Sequence, residues 1–280
     1  MTDKVLIRID DDGNSTVMLN RPQVHNAFDP EMVEALTTAF ESLGADPQVR
    51  AIVLVGAGDS FCAGADITHM KASAQFTRQQ NHEAARTAAR MFHTIYTCPK
   101  PTIAAVRGAV RGGGCGLVCA CDIAVATRTA TFRFTEVKLG IIPAIISPYV
   151  IAAIGSRMSH RYMLTGEEMS CAEAYRIGLV HEIAEEEHLS AAVGALLGHL
   201  YTGGPAAISA IKALIPMVAH ASIDDALIDE TSNRIAKIRT TPEAQEGLSA
   251  FIEKRKPAWF DAKLKRTPRT RKSSPRRTAR

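Results

Sequence analysis

The sequence has no apolar run long enough to cross a membrane and no spacing typical of a metal site. Its longest apolar stretch, residues 141–154, is interrupted by two prolines and a serine, whereas a membrane-spanning helix needs ~20 apolar residues. The nine histidines are scattered, and Cys115, Cys119 and Cys121 follow a C-x3-C-x-C spacing that zinc fingers do not use. We therefore predict a protein that neither spans a membrane nor binds a metal.

Nucleotide-binding motifs are also missing, although three consecutive glycines occur at 112–114. A P-loop continues with Lys and Ser or Thr, and Cys115-Gly116-Leu117 follows instead. A dinucleotide fingerprint requires glycine at 117 or 119, where Leu117 and Cys119 stand. The glycines therefore either permit close packing of a helix on a strand, or leave a backbone N–H free to bind a ligand oxygen.

Acidic residues are absent from residues 262–280, which carry nine Lys and Arg. The whole chain has a formal charge of +4, so residues 1–261 alone carry −5. Composition predicts that the tail, 261–280, is disordered. Its charge would suit nucleic acid or an anionic surface, but it has no aromatic residue for base stacking. We do not predict nucleic-acid binding, and the role of the tail stays open.

The N-terminal segment MTDKVLIRIDDDGN is charged and does not resemble a secretory signal. The six cysteines lie mostly in apolar or small-residue runs. We predict reduced core thiols in a cytoplasmic protein.

The first half of the chain alternates predicted strands and helices, and from about residue 145 onward only helices are predicted. Alternation of apolar residues in Val5–Ile9 and 16–19 around an Asp-Asp-Gly-Asn turn predicts a hairpin. Further strands are predicted at 51–55, 102–106, 123–126 and 131–134. Helices are predicted from 30 onward, at 75–96, after 112–114, and near 189–200, 205–218, 222–239 and 242–254. This order predicts an α/β fold with mostly parallel strands.

Two turns of small residues each follow an apolar strand and lead to a helix: the triple glycine, and FCAGADI at 61–67. Backbone N–H groups at two such turns can converge and hold a developing oxyanion. Asp66 suits the N-cap of the helix that follows it. Glu136 lies in an apolar, small-residue context. It either pairs with a base such as Arg133 or Lys138, or serves as a catalytic acid/base.

Seven segments between residues 4 and 260 carry a resemblance to a known family. They are L-N-R-P at 19–22 with Asn26-Ala27, F-x-A-G-A-D-I at 61–67, the triple glycine at 112–114, T-E-V-K-L-G at 135–140, L-T-G-E at 164–167, A-x-x-x-G-L-V at 174–180 and F-I-E-K-R at 251–255. Together they resemble the enoyl-CoA hydratase/isomerase, or crotonase, superfamily. The resemblance implies a ββα-spiral core at 1–195 and a C-terminal helical trimerisation region at 196–260, ahead of the tail at 261–280. It also implies a homotrimer or a dimer of trimers.

The resemblance further implies an acyl-CoA thioester substrate and no separate cofactor, since coenzyme A is part of the substrate. The N–H groups of Ala63 and Gly113 would form the oxyanion hole, and Glu136 would be the acid/base. Phe251 and Lys254 resemble C-terminal helix residues that approach CoA, often from a neighbouring subunit. The substrate-binding residues that it implies are Gln23, Val24, His25, Ala63, Gly64, Ala65, Asp66, Ile67, Gly113, Gly114, Glu136, Pro143, Phe251 and Lys254.

The chain departs from the family pattern at Gly116, where hydratases of the two-glutamate type carry a second glutamate. Single-glutamate members include Δ3,Δ2-enoyl-CoA isomerases, while Ala144 stands near the position of the extra aspartate of dienoyl-CoA isomerases. The segment P-A-I-I-S-P-Y at 143–149 resembles methylglutaconyl-CoA and carboxygeranoyl-CoA hydratases. We expect a 2-enoyl-CoA hydratase. An isomerase, a decarboxylase and a non-catalytic acyl-CoA-binding protein are the alternatives.

Overall fold

The computed structural model describes residues 3–219 and 221–260, which form ten strands and ten α-helices. The strands are β1 (Val5–Ile9), β2 (Asn14–Leu19), β3 (Ala51–Gly56), β4 (Ser60–Cys62), β5 (Thr102–Val106), β6 (Ala109–Arg111), β7 (Ile123–Thr127), β8 (Thr131–Arg133), β9 (Met169–Ser170) and β10 (Glu182–Ala184). The helices are α1 (Pro30–Ala45), α2 (Ile67–Ser73), α3 (Arg78–Tyr96), α4 (Gly113–Ala120), α5 (Ser147–Thr165), α6 (Cys171–Arg176), α7 (Leu189–Thr202), α8 (Pro205–Val218), α9 (Asp225–Arg239) and α10 (Pro242–Ile252).

The larger sheet has six strands in the order β1-β2-β3-β5-β7-β10. Strands β1 and β2 pair antiparallel, which confirms the predicted hairpin, and all further pairs of this sheet are parallel. Helices cover the sheet because parallel neighbours need a crossover connection. The central strand β5 is buried along its whole length, as its continuous apolar run predicted.

The smaller sheet has the order β4-β6-β8-β9, and it brings the candidate site together. Strands β4, β6 and β8 are parallel neighbours. Their C-terminal ends therefore lie at one edge, where ligands typically bind in sheets of this kind. The small-residue turn at 63–66 follows β4, the triple glycine follows β6, and Glu136 comes shortly after β8.

Helix α4 lies in the middle of the core, between the two sheets and α5. Every residue from Gly114 to Ala120 is buried, so the helix is apolar all around rather than on one face. Neighbouring core side chains include Phe92 and Ile146, both almost completely buried. All six cysteines are buried and unpaired, which confirms the predicted core thiols.

The starts of several helices follow the predicted capping pattern. Asp29 caps α1 by accepting a hydrogen bond from the Met32 N–H at 3.0 Å, and Pro30 occupies the first helical position. Thr241 caps α10 in the same way. The prediction that only helices follow residue 145 is wrong, because β9 and β10 add one strand to each sheet.

The C-terminal helices α7 to α10 form where helices were predicted. Helix α7 crosses the expected boundary between residues 195 and 196, and the division into a core and a C-terminal region stays a prediction. The basic tail at 261–280 lies outside the described residues. In the described part of the chain, none of the helices combines the length and the hydropathy of a membrane span.

Candidate active site

The two turns after β4 and β6 pack directly against each other. A Cβ built on Gly64 would lie 2.8 Å from the carbonyl oxygen of Arg111 and 3.3 Å from the backbone nitrogen of Gly113. Gly64 also has a φ of +85° and Gly112 a φ of +49°, which side chains strongly disfavour. Glycine is therefore required at both positions for the turns to approach this closely.

The structure corrects the predicted oxyanion donor at Ala63. The Ala63 N–H donates a hydrogen bond to the carbonyl oxygen of His25 at 2.9 Å, so it is not free to bind a substrate. Ala65, two residues later, is exposed, and its N–H has no acceptor among residues 3–219 and 221–260.

A short parallel bridge between Phe28 and Ala65 explains this difference. The Phe28 N–H donates to the Gly64 carbonyl at 2.8 Å, and the Asp66 N–H donates to the Phe28 carbonyl at 3.0 Å. Backbone groups of successive extended residues alternate in direction. The Ala65 N–H therefore faces away from Phe28 and remains available.

The second predicted donor, Gly113, fits its role. Gly113 is the first residue of α4, and the first N–H groups of a helix have no acceptor within the helix. No acceptor for the Gly113 N–H occurs among the described residues. The neighbouring Gly112 N–H, by contrast, donates to the Arg133 carbonyl at 2.8 Å.

The triple glycine also permits close packing, which was the alternative interpretation. A Cβ on Gly113 would lie 2.4 Å from Cζ of Phe28, and one on Gly114 would lie 2.5 Å from the carbonyl oxygen of Cys62. Real Cβ atoms essentially never lie this close to non-bonded atoms, so both positions exclude a side chain. The same turn therefore packs closely against its neighbours and leaves the N–H of Gly113 without an acceptor.

Glu136 begins a 3-10 turn, Glu136–Leu139, and directs its carboxylate to the triple glycine. Its Oε1 lies 3.1 Å from the place that a Cβ on Gly112 would take. Its Oε2 is buried and has no hydrogen-bond partner among the residues described. Burial raises the pKa of Glu136, although the backbone N–H groups of Glu136 and Thr135 favour its charged form.

The structural interpretation of Glu136, pairing with a nearby base, finds no support. Arg133 donates instead to the carbonyl oxygen of Gly166 at 2.6 Å. None of the ion pairs between described residues includes Glu136. A half-buried carboxylate that has no cation partner and whose pKa is raised is typical of a functional acid/base.

Further along α4, Gly116 faces an apolar wall formed by Ile146 and Phe92. A Cβ on Gly116 would lie 2.2 Å from Cγ2 of Ile146 and 3.0 Å from Cε1 of Phe92. Ile146 and Phe92 are packed in the core. The space of a second carboxylate is therefore filled by hydrocarbon, and no side chain at 116 fits without displacing Ile146.

Asp66 has the structural role that its N-cap position predicted. It accepts the Thr68 N–H at 2.8 Å and forms an ion pair with Arg21 at 2.8 Å. Burial alone would raise the pKa of Asp66, but the Arg21 and Thr68 hydrogen bonds outweigh it and lower the pKa. Asp66 therefore stays ionised and holds the 63–66 turn in place.

The segment with Gln23, Val24 and His25 lies beside the same turn. His25 has a φ of +50°, its carbonyl accepts the Ala63 N–H, and its Nδ1 lies 3.1 Å from Oγ of Ser60. Gln23 and Val24 belong to a short 3-10 turn, Pro22–Val24. This segment thus contacts the 63–66 turn, and its role in binding the substrate stays a prediction.

The remaining predicted substrate-binding residues are more dispersed. Ile67 begins α2 and is exposed, and Pro143 is half-buried between Ile142 and Ala144. Phe251 is 83% exposed near the end of α10, and Lys254 follows this helix with a φ of +56°. Their approach to CoA stays a prediction.

A cavity of about 610 Å³ lies at the other end of α4. Its lining includes Val118, Cys119 and the ion pair of Asp122 with Lys212, but neither Glu136 nor Gly113. We place the candidate site at the two turns because the free N–H groups and the unpaired carboxylate meet there.

Comparison with known proteins shows the family. The family model "Enoyl-CoA hydratase/isomerase" matches residues 12–262. The chain belongs to this family. Membership in the family implies an acyl-CoA substrate. A match to a solved hydratase structure confirms the predicted crotonase fold, which has two mixed sheets and C-terminal helices.

The most similar proteins include hydratases from several bacteria. The crotonyl-CoA hydratase of Syntrophomonas wolfei is 32% identical over 244 residues, which cover 86% of this chain and 92% of that protein. The short-chain-enoyl-CoA hydratase of Clostridium acetobutylicum is 31% identical over 244 residues, with the same coverage of 86% and 92%. The crystal structure of an enoyl-CoA hydratase from Shewanella pealeana is 38% identical and matches with a TM-score of 0.89 over 92% of this chain and 96% of that one.

The packing at Gly116 leads to a prediction about stability. Gly116→Ala is expected to lower the free energy of unfolding by about 1–3 kcal/mol, because the new Cβ would overlap Ile146. Gly194→Ala is the matched control: Gly194 lies in α7, where a Cβ meets no atom within 4 Å. The control should gain roughly 0.5–1 kcal/mol. Urea denaturation of both variants measures the difference, and equal effects would contradict the apolar wall.

Proposed function

We propose that the protein is a 2-enoyl-CoA hydratase that uses Glu136 as its single acid/base. The observation that carries this proposal is the buried, unpaired Oε2 of Glu136 beside two turns that present free N–H groups. The named hydratases among its relatives support the reaction class. No separate cofactor is needed, because the thioester itself activates the double bond.

In this proposal the thioester carbonyl accepts hydrogen bonds from the N–H groups of Ala65 and Gly113. Ala65 replaces Ala63, the donor that the resemblance to the family implied. Negative charge develops on this oxygen when water attacks C3, and fixed donors stabilise it without reorganisation. The close contact of the Gly64 and Gly113 backbones supports convergence of the two donors.

Glu136 moves the proton in both halves of the reaction. Its carboxylate takes one proton from the water while the water oxygen forms a bond to C3. The electron pair of the double bond moves onto the thioester enolate. The protonated Glu136 then gives a proton to C2, which regenerates the carbonyl and the carboxylate, so one water is added in total.

We further propose that the CoA part of the substrate follows the turn at 63–67 and the segment at 23–25. Gly64, Ala65, Asp66 and Ile67 would line one side of this path and Gln23, Val24 and His25 the other. Gly114 and Pro143 would border the acyl group. The segment at 143–149 suggests a substrate like those of methylglutaconyl-CoA and carboxygeranoyl-CoA hydratases, with a branched or carboxylated acyl chain.

A Δ3,Δ2-enoyl-CoA isomerase is the second candidate, and one observation favours it. The wall of Ile146 and Phe92 beside Gly116 leaves no room for a second carboxylate, and isomerisation needs only one base that carries a proton between C4 and C2. A decarboxylase and a non-catalytic acyl-CoA-binding protein are further alternatives that the assay below separates.

Glu136→Gln is expected to lower turnover by about 10²–10⁴-fold, the usual contribution of a general acid/base. The assay offers a 2-enoyl-CoA and the matching 3-enoyl-CoA and identifies products by mass. A gain of one water on the 2-enoyl substrate, lost in the variant, establishes the hydratase. Migration of the double bond alone would make it an isomerase. Unchanged turnover in the variant would refute both.

The same variant should be more stable than the wild type at neutral pH. A carboxyl group whose pKa is higher in the folded state than in the unfolded state binds its proton more tightly when folded. Stability then falls as the pH rises from the unfolded pKa through the folded pKa. Glutamine carries no such cost, so the gain in Tm should be larger at pH 7.5 than at pH 5.

Ala65→Pro removes the proposed oxyanion donor and should lower kcat by about 10²–10³-fold. Ala65→Ser keeps the N–H at this exposed position and is the matched control, expected to retain activity within a few-fold. Circular dichroism and Tm check that both variants fold. Full activity of a folded Ala65→Pro enzyme would refute Ala65 as the donor.

We also propose that the C-terminal helices form a trimer, or a dimer of trimers. Several large apolar side chains of α8 to α10 are exposed in the single chain, and such surfaces usually mark interfaces. They are Ile211, Ile215, Ile228, Ile235, Leu248, Phe251 and Ile252. Light scattering is expected to give three or six times the mass of one chain, and Ile252→Asp should reduce it. A monomeric wild type would contradict the proposal.

A further inference from the structure

A hydratase must hold its water as well as deprotonate it, and the apolar wall cannot contribute to this. Ile146 and Phe92 fill the space beside Gly116, where two-glutamate hydratases carry their second carboxylate. A water on Glu136 therefore needs another polar partner near the same carboxylate. The residue that precedes Glu136 in the chain, Thr135, offers one.

Thr135 occupies the N-cap position of the Glu136–Leu139 turn but does not cap it. Threonine at an N-cap usually has extended backbone and accepts a hydrogen bond from an N–H in the first turn. Here its φ is −88° and its ψ is −12°, and its side chain makes no capping hydrogen bond. Among the described residues the Thr135 hydroxyl has no hydrogen-bond partner at all, although the Thr135 carbonyl accepts the Lys138 N–H at 3.0 Å.

The free hydroxyl lies beside the carboxylate at the triple glycine. The position of a Cβ on Gly112 is 3.2 Å from Oγ1 of Thr135 and 3.1 Å from Oε1 of Glu136. Both oxygens thus border the space that glycine leaves open at 112. Gly112 donates its N–H to Arg133 at 2.8 Å, which ties this glycine to the strand that leads into Thr135 and Glu136.

We propose that Thr135 is a positioning residue that holds the attacking water together with Glu136. This rests on the proposed hydratase function. One O–H of the water donates to the Glu136 carboxylate, which removes this proton as the water oxygen bonds to C3. The other O–H donates to Oγ1 of Thr135 and remains in the product as its hydroxyl group. Thr135 exchanges no proton and orients the lone pair of the water.

The decisive variant is Thr135→Val, which replaces the hydroxyl by a methyl group of similar size. Hydration of a 2-enoyl-CoA should fall about 10-fold in kcat with KM nearly unchanged, the effect of one lost hydrogen bond to the nucleophile. Thr135→Ser keeps a hydroxyl and should stay within about threefold of the wild type. Thr87→Val makes the same change on the exposed face of α3 and should have no effect.

The pH dependence of kcat/KM separates this role from an effect on Glu136 or on the fold. If Thr135 holds only water, the acidic limb of the profile, which reports Glu136, keeps its position in Thr135→Val. The Tm should also stay close to that of the wild type.

Four results would overturn the proposal. Wild-type kcat in Thr135→Val would show that the hydroxyl is not used. Equal losses in Thr135→Val and Thr135→Ser, or a displaced acidic limb, would show that Thr135 acts through packing or through Glu136. A wild-type enzyme that only moves the double bond would refute the hydratase function, and the role of Thr135 with it. Hydration by the wild type and by Thr135→Val at equal rates refutes the role of Thr135 alone.

Discussion

The candidate site depends on the contact between two backbone turns that leaves no room for a Cβ. Gly64 lies against the carbonyl of Arg111 and the nitrogen of Gly113, and Phe28 covers Gly113 from the other side. Because three parallel strands end at this edge, the turns and Glu136 meet although they are far apart in the chain. Any side chain at Gly64 would push the turns apart and separate the two free N–H groups.

The same dense packing determines what the site lacks. Ile146 occupies the space beside Gly116. A glutamate at position 116 is therefore both absent from the sequence and excluded by the packing of the core. Burial also leaves Oε2 of Glu136 without a partner. An unpaired polar atom in the core destabilises the fold, and such a cost is usually accepted where the group has a function.

The sequence predicted those features that local patterns determine. The hairpin, the capped helix α1 and the buried strand β5 follow from alternation, from Asp29-Pro30 and from a continuous apolar run. Of the smaller sheet only β8 was predicted, at 131–134; β4 and β6 escaped prediction because they have three residues each, too few to show a period. The exchange of Ala63 for Ala65 has a similar cause, since the direction of each N–H depends on pairing with His25 and Phe28, far earlier in the chain. Likewise, no local pattern places Ile146 against Gly116.

A single carboxylate changes the demands on its surroundings. Two glutamates can share the transfer of protons, but in the proposed mechanism a lone Glu136 takes a proton and gives one back to the same substrate. This works only if the protonated form persists for long enough, and burial favours that form by raising the pKa of Glu136. In the proposed mechanism the packing of Ile146 against Gly116 excludes a second carboxylate, so the attacking water has to be held by polar groups near Glu136 itself.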